Sequence, residues 1–209
     1  MSAMARRPFI IIRDLHRTLP RLLTAGVLVG LWASQSLGQS SAVSQIDRDL
    51  ATKSPEIHWP SGFTPTDADL FAHNEIDIEA PCAVAWSRLV NAEEWPKWYP
   101  NSKNVKVQGS GPGILNHGAT FQWQTFGLDV ASRVHEFEPQ RRIGWFGDAT
   151  GLNAYHTWLL TEAKGKCRVV NEEVVKGPGA MALRRSDPDA MHKGHDLWNE
   201  VLKQVSERR

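Results

Sequence analysis

Apolar and polar positions follow two different periods along this chain. From Asp187 to Glu207, Met191, Gly194, Trp198, Val201, Leu202 and Val205 recur three and four apart, drawing one apolar stripe down a helix with Asp196, Asn199, Lys203 and Gln204 off it. His195 lies one turn from Met191 and from Trp198, so a titratable ring shares the apolar face. Upstream the period falls to two. Strands are expected at Ala72 to Glu79, Ser102 to Gln108, Ala119 to Thr125, Leu128 to Phe137, Arg142 to Gly147, Ala154 to Thr161 and Cys167 to Lys176. From the second strand onward the links are too short for crossover helices, so neighbours run antiparallel. After the first strand, Pro81 suits the first turn of a short helix, Cys82 to Asn91, and a further helical turn follows at Ala92 to Lys97. The order predicts an α+β fold in which a curved sheet covers the stripe of the last helix, with a cavity between them.

Hairpin register then says which side chains face in. A turn about Gly165 sets Leu160 opposite Val169, Trp158 opposite Asn171 and His156 opposite Glu173, and opposed residues share a face. A turn about Pro139 pairs Val134 with Trp145 and Glu136 with Ile143, and the Phe126-Gly127 turn pairs Phe121 with Ser132 and Trp123 with Val130. The face carrying Phe121, Trp123, Trp145, Trp158 and Leu160 is far more apolar than its reverse and is assigned inward. A slip of one residue would invert any one strand.

The N-terminal stretch changes the picture of charge and compartment. Arg6, Arg7, Arg13, Arg17 and Arg21 precede an apolar run, Leu22 to Ala33, and Ser36-Leu37-Gly38 forms a small-x-small cleavage site. Residues 1–38 therefore read as a signal peptide, giving a secreted or periplasmic protein. The rival is an uncleaved anchor, but the run falls short of the roughly 20 residues a spanning helix needs, so no stable membrane span is expected after cleavage. The general secretory route fits better than the twin-arginine route, because Arg6-Arg7 lies far from the apolar run. Cleavage leaves a chain near −3 with no basic stripe, which excludes a nucleic-acid partner and sets no oligomeric state. Residues 39–69 read as a polar tether followed by a proline-rich arm, pinned to the domain by Trp59 and Phe63, and residues 70–209 as the folded domain. Cys82 and Cys167 could form a disulfide in an oxidising compartment or remain two buried thiols.

An inward face rich in aromatics, with Glu136, His156, Asn171, Glu173 and His195 among them, has the composition of a ligand cavity: apolar walls and a few polar groups that orient what binds. A solid core whose polar groups satisfy one another is the alternative. Candidate ligand-binding residues are Trp95, Trp98, Phe121, Trp123, Glu136, Trp145, His156, Trp158, Asn171, Glu173, His195 and Trp198. His156 with Glu173 could act as an acid/base pair, but no nucleophile is marked and no Gly-x-Ser-x-Gly elbow occurs, so no catalytic residue is assigned. His192 and His195 are half a metal pattern without a second ligand pair, so no metal and no cofactor are expected. Gly109 to Gly113 is followed by strands and reads as a hairpin loop, not a phosphate loop. A third reading is a docking module using Trp59, Phe63 and the aromatic knot from Trp95 to Tyr99.

The sequence also resembles a known group. Gly62-Phe63-Thr64-Pro65, Ala85-Trp86 with Leu89, Trp95 to Pro100, Gly118 to Phe121, Val134 to Pro139, Arg142 to Trp145, Tyr155 to Trp158, Glu172-Glu173 and Gly194 to Trp198 are similar to stretches of the START-like, polyketide cyclase (SRPBCC) superfamily, over roughly Pro60 to Ser206. The resemblance implies a helix-grip fold: a seven-stranded antiparallel curved sheet wrapped around a long C-terminal helix, with two short helices after the first strand. It implies binding of lipids, polyketides or other hydrophobic small molecules between sheet and helix. Some members are cyclases, dehydratases or hydrolases, so an acid/base enzyme is the alternative function. In that topology the first and last strands are neighbours, which favours the Cys82–Cys167 disulfide.

Overall fold

The computed structural model describes residues 43–108, 111 and 113–208. The predicted leader, residues 1–38, lies outside the described residues, as do Gly109, Ser110 and Pro112 of the glycine-rich loop. No helix among the described residues is long and apolar enough to cross a membrane.

Seven strands form one antiparallel sheet in the order β1-β7-β6-β5-β4-β3-β2. They are β1 (Leu70–Ile78), β2 (Lys103–Gln108), β3 (Thr120–Thr125), β4 (Leu128–Glu138), β5 (Arg142–Ala149), β6 (Leu152–Ala163) and β7 (Lys166–Lys176). Sequential hairpins make every contact except β1 with β7, which closes the first strand onto the last. Helix α2 (Cys82–Val90) and a 3-10 turn (Ala92–Lys97) follow β1, the two short helical pieces expected after the first strand. The last helix, α4 (Ala190–Glu207), lays its stripe of Met191, Gly194, His195, Trp198 and Leu202 into the concave face. This is the helix-grip α+β architecture.

Three elements differ from expectation. The last helix begins at Ala190 instead of Asp187, because a separate helix, α3 (Pro178–Ser186), stands before it, opened by Pro178 in its first turn. The segment read as a flexible tether contains helix α1 (Gln45–Thr52), capped by the Ser44 side chain accepting from the Asp47 N–H. Its Ile46 is buried against Leu70, Ala72 and Met191, a contact of the order of 1.5–3 kcal/mol. His192 Nδ1 on α4 lies 3.1 Å from the buried Asp49 of α1, which fixes the helix in place.

The third difference is register. β4 carries a bulge between Val134 and Glu136: Val134 pairs with Trp145 as expected, but Glu136 pairs with Gly144 and Phe137 with Ile143. One extra residue moves Glu136 out of the inward set. It meets His58 of the proline-rich arm at 2.7 Å. Phe137 takes the inward place, 5.3 Å from the Trp86 ring.

The arm covers the outer face of the sheet over β1, β5, β6 and β7. Trp59 packs on Phe71 and Tyr155, and Phe63 on Phe146 and Tyr155. Ser54 N–H donates to Glu172, which also holds His73 at 2.7 Å, so a buried carboxylate is shared between arm and sheet. Trp95 and Tyr99 are fully buried, which leaves the docking-module reading without its central rings. Cys82, at the start of α2, and Cys167 on β7 are joined by a disulfide with Cα atoms 4.7 Å apart.

Candidate functional site

The hollow between sheet and α4 is divided in two. At one end Trp95 drives its ring in from the 3-10 turn and touches Phe121, Trp123, Trp145 and Trp198, with ring centroids 5.1–5.8 Å apart. Tyr99 stacks on Trp198 at 4.3 Å, and the Trp95 indole N–H is satisfied by the Leu89 carbonyl. This half is solid core.

The other half holds a cavity of about 80 Å³. Its walls are apolar: Leu70 and Val175 from the sheet, Ala180 and Leu183 from α3, Met191 from α4. Trp123, Trp145 and Trp198 form its boundary with the filled core, and His156, Glu173 and His195 bring the charge-bearing polar atoms. The cavity therefore takes in Trp123, Trp145, His156, Glu173, His195 and Trp198 of the residues predicted from sequence. Trp95, Phe121, Trp158 and Asn171 lie behind it in the core, Trp98 is half-buried against that core, and Glu136 is on the opposite face of the sheet.

The polar trio is assembled from three elements. The β6–β7 register places His156 directly opposite Glu173, as the Gly165 turn predicts. Their side chains nevertheless take other partners: His156 Nε2 lies 2.6 Å from Asn171 Oδ1, and Glu173 Oε2 lies 3.0 Å from His195 Nε2. The two imidazoles stack with centroids 4.7 Å apart and planes 21° from parallel. Burial disfavours the His156 imidazolium more than Glu173 and Asn171 support it, and its pKa falls to about 4, so the ring is neutral at pH 7. Burial pushes the Glu173 carboxyl up, but the neighbouring His156 and His195 outweigh it and its pKa ends below the usual carboxylate value. The arrangement can orient a polar ligand atom, or hold and move a proton between His195 and Glu173.

One residue of the site was not anticipated. Phe126 sits at the tip of the β3–β4 hairpin with φ 50°, followed by Gly127 at φ 78°. Positive φ at both central positions is the two-residue turn that favours Asn-Gly, and a phenylalanine there is strained. Its ring lies over Gly194 of α4, where a Cβ would stand only 2.2 Å away, and it lines the cavity while 39% exposed. The signal was in the sequence: a bulky aromatic in a turn position that normally takes asparagine.

Fold and site together define a helix-grip domain with a small apolar cavity closed at one end by a polar trio. The chain belongs to the polyketide cyclase / dehydrase and lipid transport family, whose profile matches residues 72–196. Among solved structures, a hypothetical protein from Helicobacter pylori is 32% identical with a TM-score of 0.69, covering 75% of this chain and 99% of its own. An aromatase/cyclase from Streptomyces sp. R1128 (16% identity, TM-score 0.51, 66% and 94% covered) and norcoclaurine synthase from Thalictrum flavum (12%, 0.53, 66% and 94%) share the fold. No curated protein matches the chain.

Proposed function

We propose that the protein binds a hydrophobic or amphipathic small molecule, lipid- or polyketide-like, between the sheet and α4, and that it does so after export to the periplasm. The observation that carries the reading is the cavity itself, with apolar walls and a polar trio at one end. Family membership supports the class of ligand. At about 80 Å³ the cavity is well below the roughly 300–1,000 Å³ of formed ligand sites, so a ligand of that class enters by displacing Phe126 from the mouth. Its apolar part lies along Leu70, Val175 and Met191, and its polar end meets His195 and Glu173.

The test is saturable binding of fatty acids and aromatic polyketide-like probes, followed by fluorescence of the tryptophans at the cavity wall. Ala154, buried on β6 and lining the cavity, gives the control: Ala154→Phe fills the space and abolishes binding while the fold persists. Failure of every probe on the wild-type chain, or equal binding by Ala154→Phe, refutes the reading. Export is tested by the N-terminus of the mature chain, where retention of Met1 would contradict it.

The alternative is an enzyme of the cyclase, dehydratase or hydrolase kind. The 3.0 Å contact of His195 with Glu173, beside a neutral His156, favours it, and two structural neighbours bear the names of enzymes. It predicts a turnover that falls at least about tenfold in His195→Ala, since positioned acid/base groups contribute about 100-fold or more.

A further inference from the structure

Three side chains with metal-ligating atoms converge at the polar end of the cavity, each from a different element: His156 from β6, Glu173 from β7 and His195 from α4. One ligand atom of each lies within 4.8 Å of those of the other two. Two imidazoles and one carboxylate are the donor set that zinc and other borderline divalent metals take in open, three-ligand sites. His195 Nε2 and Glu173 Oε2 are already 3.0 Å apart. Two atoms each bonded at about 2.0–2.1 Å to one ion sit about 2.9–3.4 Å apart, so this pair already has the spacing of one coordination edge to within a few tenths of an ångström.

The surroundings fit as well. Asn171 Oδ1 accepts the Nε2–H of His156, the outer contact that fixes a ligating histidine's tautomer and leaves the other ring nitrogen with its lone pair. His195 is only 1% exposed, yet its Nδ1 has no partner among the described residues, so this ring is tied on one side only. The Glu173 side chain is 16% exposed and lines the cavity, which supplies an entry path and an open coordination position.

We propose that His156, Glu173 and His195 form a three-ligand site for a divalent transition metal ion of the zinc class, with its open position facing the apolar cavity. Binding uses the lone pair of His195 Nε2, so the proton shared with Glu173 moves to the unpartnered Nδ1. Metal at this place would give the cavity a Lewis-acidic end for a carbonyl, carboxylate or water oxygen. The assignment goes beyond the ligand-binding reading and does not depend on it.

The experiment titrates metal-stripped full-length chain with Co²⁺ and then Zn²⁺, without lipid, following Co²⁺ absorption and calorimetric stoichiometry, with circular dichroism to confirm folding. One ion per chain is expected. Asn171→Ala should weaken binding about 10–100-fold as the loss of an outer partner, and Glu173→Gln or His195→Gln should weaken it further. The more exposed cluster of His192 with Asp49 and Asp196 is the competing place for an ion, and His192→Gln should leave binding unchanged. A folded wild-type chain that takes up neither ion overturns the proposal. So does binding that survives Glu173→Gln and His195→Gln but vanishes in His192→Gln. Either failure leaves the hydrophobic-ligand reading standing, because that is scored by probe binding to metal-free protein.

Discussion

Replacing Gly194 by alanine isolates what Phe126 does at the cavity mouth. A Cβ at position 194 would stand 2.2 Å from Phe126 Cζ and 2.5 Å from Cε1, whereas carbon atoms in contact sit about 3.5–4.0 Å apart. The phenylalanine ring therefore leaves. Helix α4 itself gains up to about 1 kcal/mol, because glycine inside a helix is that much less favourable than alanine. Against this stands the lost packing of the ring. Full burial of a phenylalanine is worth about 1.5–3 kcal/mol and this one is 39% exposed, so displacement loses about 1–2 kcal/mol. The wild-type background should show Gly194→Ala as neutral to about 1 kcal/mol destabilising. In a Phe126→Ala background nothing is displaced, and the same change should stabilise by about 1 kcal/mol.

The assay is urea unfolding of the four proteins of this double-mutant cycle, compared at constant m-value. The coupling energy should be about 1–2 kcal/mol, with Phe126→Ala and Gly194→Ala each accelerating entry of an apolar probe. Additivity of the two substitutions within about 0.5 kcal/mol would refute the contact, since independent sites add to that precision. Unchanged probe kinetics in both single variants would refute the gating role even if the contact is real.

The disulfide and α1 give two further tests. Cys82 and Cys167 are 85 residues apart in sequence, and the chain-entropy account of a loop that long gives about 4.5 kcal/mol. A Cys82→Ser/Cys167→Ser chain should lose stability of that order, and intact mass before and after alkylation without reductant should show no free thiol in the native protein. His192 has a raised pKa, from its hydrogen bond to Asp49 and then from the charges of Asp49, Asp196 and Asp189, against the opposing effect of burial. A raised pKa in the folded state means that this contribution is fully present below the ordinary histidine value and is lost as pH rises through the shifted one. Amide exchange over Gln45–Thr52 should therefore accelerate on going from pH 6 to pH 9 beyond the intrinsic base effect, and His192→Asn should remove the excess. An excess that persists in His192→Asn would place the switch elsewhere.

Periodicity carried most of the architecture because the concave face is more apolar than its reverse and the hairpins from β3 to β7 have turns of two or three residues. The Gly165 turn alone placed His156 opposite Glu173, and the structure keeps that pairing. The same reasoning misplaced Glu136, since a bulge changes the count of residues without changing the apolar pattern on either side of it. Helix α3 was missed for a different reason: its buried side consists of little more than Ala180 and Leu183, too thin a stripe to stand out from a loop. Helix α1 had its signals in view, Ser44 as cap and Ile46 with Leu50 on one side, but eight residues are marginal alone. It is the Asp49–His192 contact and the Ile46 burial that hold it, and both are tertiary.

The division of the hollow into a filled and an open half follows from where the tryptophans come from. Seen along the strands, Trp123, Trp145 and Trp158 look alike as walls, and whether they enclose space or fill it depends on what enters from the other side. Trp95 enters from outside the sheet and Trp198 from the helix, and together they exhaust the volume at that end. His156, Glu173 and His195 sit at the boundary, with the His156 ring 4.9 Å from Trp145 and 5.3 Å from Trp198. A packed aromatic wall on one side fixes their positions and lowers the local dielectric, which strengthens the field they present to the cavity. The Phe126 hairpin tip, α3 and the α1 contact with Met191 all lie on the open half. Movement at the mouth can therefore admit a ligand without disturbing the trio that would hold its polar end.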